Sequence, residues 1–212
     1  MEIAAVVLAA GQAKRMTVPK QLLPCGNSTL LGHTLLAAQA SACSRLMVVI
    51  GAHQDLIERE VRDRRIEVVR NPDWMHGIAT SVRAAVRALA SSENPLDAAV
   101  FLPADQPLLG SELIDLMIHT FRSTRRPIVA TQIRGQLGVP ALFGAKVFPE
   151  LARLGARQTI CRRINRVTTL PFPGGALDID TPEDYLRWRE QASRFSPRTP
   201  LSRLFGTGGG CG

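Results

Sequence analysis

Two cations, Arg15 and Lys20, follow the stretch Leu8-Ala9-Ala10-Gly11-Gln12, which itself follows an apolar run from Ile3 to Leu8. The run reads as a buried parallel strand, and Ala9-Ala10-Gly11 turns the chain at its carboxyl end. Small residues let a ligand approach the backbone, and exposed N–H groups beside Arg and Lys suit a polyphosphate. The stretch is a candidate loop for a nucleoside triphosphate. Glycine after a strand is also ordinary punctuation, and basic residues in loops are commonly just solvated. The spacing is neither the three-glycine dinucleotide fingerprint nor the Gly-Lys-Ser/Thr of a P-loop.

A candidate partner for the loop is Asp105, which follows the apolar run Ala98–Leu102 in Pro103-Ala104-Asp105-Gln106-Pro107. A carboxylate there suits Mg²⁺ shared with phosphate oxygens; it also suits a simple turn or helix cap. Later come Asp178 and Asp180, which alternation puts on one face, so that either can join Asp105 on the ion. Glu183 and Asp184 have a sufficient explanation in the dipole of the helix they open. A third group is Asn71-Pro72-Asp73-Trp74, then Gly77 and Ser81. Asn-Pro opens a turn, and the N–H groups and Ser81 hydroxyl of the next helix can meet a base or ribose; Ser81 and Trp74 also suit plain first-turn and packing roles. His33, His53, His76 and His119 lie in ordinary contexts, and no Ser-His-Asp set is evident. Phosphoryl and nucleotidyl transfer need little else: a substrate phosphate attacks, and the protein positions it and neutralises charge.

These residues need a scaffold. Candidate strands are 3–8, 46–50, 66–69, 98–102, 128–131 and 167–170. Candidate helices are 30–42, 54–62, 78–90, 111–121, 148–154, 156–164 and 182–191. Such alternation predicts an α/β fold, a three-layer α/β/α, Rossmann-like and mostly parallel sheet, with ligands beyond the strand carboxyl ends. Ser111 precedes an amphipathic run with Ile114 and Ile118 on one face. Thr181-Pro182-Glu183-Asp184 combines an N-cap, an N1 proline and first-turn acids. One domain over 1–192 is expected. The Pro-, Arg-, Ser- and Gly-rich stretch 193–212 has little to bury and reads as a flexible tail.

Composition narrows the partners. The chain has 212 residues and a net charge of +8, but its arginines are dispersed, several on helices (Arg59, Arg62, Arg64, Arg65, Arg83, Arg87), without interleaved aromatics. That disfavours nucleic acid and fits a polyanionic small substrate. No apolar run is long enough to span a membrane, and no secretory signal is evident, so a cytoplasmic protein is expected. Cys25, Cys43, Cys161 and Cys211 are scattered, as in a protein with reduced, structural thiols.

Taken together the motifs resemble the molybdenum cofactor nucleotidyltransferases, and most nearly their cytidylyltransferase branch. The matching segments are Leu8-Ala9-Ala10-Gly11 with Arg15-Met16-Thr17 and Pro19-Lys20, Asn71 through Ser81, Asp105-Gln106-Pro107, Gly138-Val139-Pro140-Ala141-Leu142-Phe143, and Asp178 through Asp184. They run collinearly over about residues 2 to 190. The resemblance implies that the backbone of Leu8 to Gly11 recognises base and ribose, with Gln12, Asn71 and Ser81 completing the nucleotide set. Arg15 and Lys20 would bind phosphates and steady the leaving pyrophosphate. Asp105 and Asp180 would hold Mg²⁺, Asp180 being the likelier of the later acids. The phosphate of molybdopterin would attack CTP; Ala10 fits the cytidylyl branch where the guanylyl branch has a second glycine. GTP as donor, another phosphorylated acceptor, or a non-catalytic chaperone for a molybdoenzyme are the alternatives. Three departures touch the pattern: Thr17 in place of glycine, Val139 in place of a polar residue, and a turn shortened to Gly155-Ala156-Arg157.

Overall fold

The computed structural model describes residues 1–12, 15–16, 18–62, 66–92, 94–177 and 179–194. Thr17, Arg64, Arg65, Asp178, Cys211 and the stretch from residue 195 lie outside them. The strands are β1 (Ile3–Leu8), β2 (Pro24–Cys25), β3 (Ser28–Thr29), β4 (Arg45–Ile50), β5 (Glu67–Arg70), β6 (Ala98–Pro103), β7 (Ile128–Ile133), β8 (Gln136–Gly144) and β9 (Val167–Pro171). The α-helices are α1 (Leu30–Ala40), α2 (Gln54–Val61), α3 (Ile78–Ala90), α4 (Ser111–Thr124), α5 (Phe148–Leu154), α6 (Ala156–Arg162) and α7 (Pro182–Arg194).

Seven strands form one sheet in the order β5-β4-β1-β6-β8-β7-β9. Only β8 runs against the others. Strands buried on both faces need continuous apolar residues, and β1 (Ile3-Ala4-Ala5-Val6-Val7-Leu8) is buried along its whole length. Alternate residues feed two layers. Ile3, Ala5 and Val7 meet Leu31 and Leu35 of α1, Ile57 of α2 and Ile114 and Ile118 of α4. Ala4, Val6 and Leu8 meet Val82 and Val86 of α3, Leu151 of α5 and Ile160 of α6. The expected three-layer, mostly parallel fold is therefore observed.

Two parts of the fold differ from the sequence expectation. The strand β8 was not anticipated, because Gly138, Pro140 and Gly144 punctuate it. The structure resolves this with a register shift: Ala130 pairs with Ala141, but Thr131 pairs with Gly138, leaving Val139 and Pro140 as extra residues. Proline cannot donate to a ladder, so it falls where the ladder is interrupted. The second unanticipated feature is the small β2–β3 hairpin. Its Cys25, with Leu23 and Leu30, packs against Ile179, Tyr185 and Trp188, and the Tyr185 hydroxyl donates to the Pro24 carbonyl at 2.9 Å. Thus α7 docks on the hairpin. At α4 the cap position belongs to Gly110, with Ser111 the first helical residue.

His33 on α1 contacts the Leu109 carbonyl through Nε2 at 3.1 Å. Burial lowers its pKa from the ordinary value, and the Leu109 hydrogen bond only partly opposes this. The folded state therefore resists a proton that the unfolded chain accepts near pH 6.5. The stabilisation is fully present above that pH and is lost as pH falls towards the lower folded value. The melting temperature is expected to fall from pH 7 to 5.5, and less steeply in His33→Gln; equal slopes in paired thermal melts would refute the assignment.

Candidate active site

Register places the chemistry. Leu8 at the end of β1 lies beside Pro103 at the end of β6 and Val49 of β4. The loops carrying Ala9–Gln12 and Ala104–Asp105 therefore leave the sheet side by side at its carboxyl edge. A cavity of about 430 Å³ opens there, lined by Leu8, Ala10, Gly11, Gln12, Lys20, Gln21, Trp74, Met75, Gly77, Ile78, Ser81, Asp105 and Asp180, among others. Trp74 reaches this wall by crossing Gly51 at the end of β4: a Cβ on Gly51 would lie 2.6 Å from the Trp74 Cβ, so no larger residue fits.

Lys20 is the electrostatic centre. Its Nζ is 2.6 Å from Asp105 Oδ2 and 2.7 Å from Asp180 Oδ1. Burial alone would pull the ammonium down; Asp105, then Asp180, outweighs it and raises the pKa above the usual lysine value. The group is therefore cationic at any working pH. Arg15 is largely exposed and reaches the same carboxylate, with Nη2 at 3.4 Å from Asp180 Oδ2. Asp180 is held by the start of α7. The Asp184 carboxylate accepts from the Thr181 N–H and hydroxyl at 3.0 and 2.8 Å, and Thr181 Oγ1 accepts from the Asp184 N–H at 3.1 Å. This is a capping box with Asp in the usual Glu position.

A second cleft, about 590 Å³, adjoins the first. Ile78, Pro103, Asp105 and Asp180 line both, so the carboxylate pair stands at the junction. The far wall carries Ile133, Arg134, Gln136, Leu137, Val139 and Arg157. Two departures from the family pattern thus lie on this side. Val139 adds an apolar side chain to this wall, and the shortened turn joins α5 to α6 through Gly155 alone, at φ +77°, where a Cβ would come within 2.8 Å of the Ala79 Cβ.

The structure brings together Leu8, Ala10, Gly11, Gln12, Lys20, Ser81, Asp105 and Asp180 from the sequence-derived set. Ala9 is buried beneath the loop. Asn71 lies outside the cavity wall. Its amide donates to Thr80 Oγ1 at 2.8 Å and Ser81 Oγ at 3.0 Å, and its Oδ1 accepts from the Asp73 N–H at 3.0 Å. It thereby fixes the turn that carries Trp74. Sequence reasoning missed Gln21, Arg134 and Arg157. Gln21 continues the Pro19-Lys20 segment of the family resemblance but was given no role, and Arg157 stood in the turn already marked as unusual.

Asp105 and Asp180 are hard oxygen donors only one ammonium apart, a pair suited to Mg²⁺ or Mn²⁺ once phosphate and water supply the other positions. Among the described residues no third His, Cys, Asp or Glu joins them. No helix among them is long and apolar enough to cross a membrane.

A parallel sheet with a small-residue loop, a lysine and a carboxylate pair at its carboxyl edge is the frame of a nucleotidyltransferase. The chain belongs to the MobA-like NTP transferase family, whose domain matches residues 5–169. It is 27% identical over 192 residues to the molybdenum cofactor cytidylyltransferase of Escherichia coli, covering 88% of this chain and 95% of that one. Its fold is similar to the crystal structure of an Rv0371c homologue from Mycobacterium sp. strain JC1, at 28% identity and TM-score 0.77 over 92% of this chain and 98% of that chain. Rv0371c of Mycobacterium tuberculosis, solved as a manganese complex, is also 28% identical, with TM-score 0.69 and coverage of 90% and 99%.

The Lys20 ammonium and a divalent cation would compete for the same carboxylate oxygens. Lys20→Met is therefore expected to bind Mn²⁺ several-fold more tightly than wild type when no nucleotide is present, as read by calorimetry or paramagnetic resonance. Unchanged or weaker binding would show that these carboxylates do not hold the ion.

Proposed function

We propose that the protein transfers CMP from CTP to the phosphate of molybdopterin, with Mg²⁺, releasing pyrophosphate. The observation that carries this reading is the pair of cavities meeting at Asp105 and Asp180. A donor in one and a phosphorylated acceptor in the other would meet at the carboxylates. Similarity to the E. coli cytidylyltransferase along nearly the whole of both chains supports the choice of donor and acceptor.

In this reading Leu8, Ala10, Gly11 and Gln12 hold base and ribose, with Ser81 on the opposite wall. Ala9 and Asn71 act from behind, one supporting the loop and the other the Trp74 turn. An acceptor phosphate oxygen attacks the α-phosphorus, the bond to the β-phosphate oxygen breaks, and pyrophosphate leaves with the electron pair. Lys20 and Arg15 neutralise the charge that builds on the leaving group. Asp105 and Asp180 would hold the ion, which when bound would offset phosphate charge. Lys20, released from the carboxylates, would turn to phosphate oxygens. The second cleft has apolar walls for a flat ring system, with Arg134 and Arg157 for its anionic parts. Residues 1–192 act as one nucleotidyltransferase domain.

Pyrophosphate release with Mg²⁺, molybdopterin and CTP is expected, with much less from GTP; the reverse order would overturn the donor. Asp105→Asn is expected to lower kcat by roughly 10²–10³-fold, the scale for losing one preorganised charge-stabilising contact, while circular dichroism shows the fold intact. Turnover within a few-fold of wild type would remove Asp105 from the metal set.

A further inference from the structure

We infer that Gln21 is a positioning residue for the nucleotide loop, an inference that rests on the nucleotide-site reading above. Gln21 is 2% exposed. Its Nε2 donates to the Ala9 carbonyl at 3.1 Å and to the Gly11 carbonyl at 2.7 Å. Both amide hydrogens are therefore engaged, on two carbonyls separated by one residue. The carbonyl between them turns the other way, because Ala10 O accepts from the Ala52 N–H at 3.1 Å.

The stereochemistry of the peptide gives this clamp a consequence. In a trans peptide the C=O of one residue and the N–H of the next point in opposite directions. Fixing the Ala9 and Gly11 carbonyls on Gln21 therefore fixes the N–H groups of Ala10 and Gln12 on the opposite side. No bond between either N–H and a described residue is present. Two oriented donors are thus held ready on a stretch that lines the first cavity. Without the clamp each peptide plane could turn over and offer a carbonyl oxygen to the ligand, which a phosphate or a base acceptor would repel.

The orientation of the clamp is itself determined. Gln21 Oε1 is buried without a hydrogen-bond partner among the described residues. An amide turned the other way would set that oxygen against two carbonyl oxygens, acceptor against acceptor. Gln21 also directly follows Lys20, in the one 3₁₀ turn Lys20–Leu22. The loop and the cation at the carboxylate junction are thereby tied by neighbouring residues. A glutamate at this position would keep the shape and lose the donors; protonated, it would regain one.

The test compares wild type, Gln21→Glu and Gln21→Met for binding of CTP and GTP with Mg²⁺ by calorimetry, and for KM and kcat, from pH 8 to 6, with thermal melts of each. Gln21→Glu is expected to weaken nucleotide binding roughly tenfold or more at pH 8, as two lost hydrogen bonds imply, with KM affected more than kcat. Its affinity is expected to recover towards pH 6, more than that of wild type changes. Gln21→Met is expected to bind weakly at every pH. Variants that bind like wild type, or that all fail to fold, would overturn the positioning role. Wild-type protein that binds neither nucleotide would overturn the nucleotide-site reading itself, and this role with it.

Discussion

The ammonium of Lys20 joins three segments that are distant in sequence: its own turn after β1, the loop after β6 that carries Asp105, and the approach to α7 that carries Asp180. A partly buried cation between two carboxylates keeps its charge because each partner offsets part of the desolvation. Remove any one of the three and the remaining charges face the cavity unbalanced. The surrounding structure can be read as the means of keeping this contact. The β1–β6 register brings two of the loops to one edge. The capping box at Thr181 and the docking of Tyr185 and Trp188 on the hairpin bring the third.

The two cavities that meet at the carboxylates differ in character. The first is lined by Ala10 and Gly11, where β1 ends, and by the larger side chains of Trp74, Met75 and Ile78. Beside the second, β8 runs against its neighbours, and its interrupted pairing with β7 leaves Val139 and Pro140 as extra residues between the two ladders. The irregular stretch of the sheet and two of the departures from the family pattern, Val139 and the Gly155-Ala156-Arg157 turn, therefore fall on the same side of the junction.

Much of this was legible in the sequence because chemistry-bearing residues followed apolar runs. Lys20, Asp105 and the small-residue loop could be placed at one sheet edge once β1 and β6 were recognised, and six of the seven main-sheet strands were anticipated. What was hidden depended on long-range packing. Alternation left Asp178 and Asp180 equivalent, the family resemblance favoured Asp180, and the structure places Asp180 on Lys20. Strand β8 is obscured by its own glycines and proline. Gln21 looks like a polar residue after a lysine, and nothing local shows that its amide is buried under a loop ten residues earlier. Asn71 carried the right motif, yet its amide is directed to Thr80 and Ser81, a fact set by the turn and invisible in composition.

The order of the elements along the chain makes the site depend on its most distant part. The loop, Lys20 and Asp105 all lie before β9, whereas the second carboxylate comes with the approach to α7, which packs on a hairpin more than 150 residues earlier in the sequence. A change at Tyr185, Trp188 or the hairpin therefore reaches Asp180, and through it Lys20, without touching the wall of either cavity.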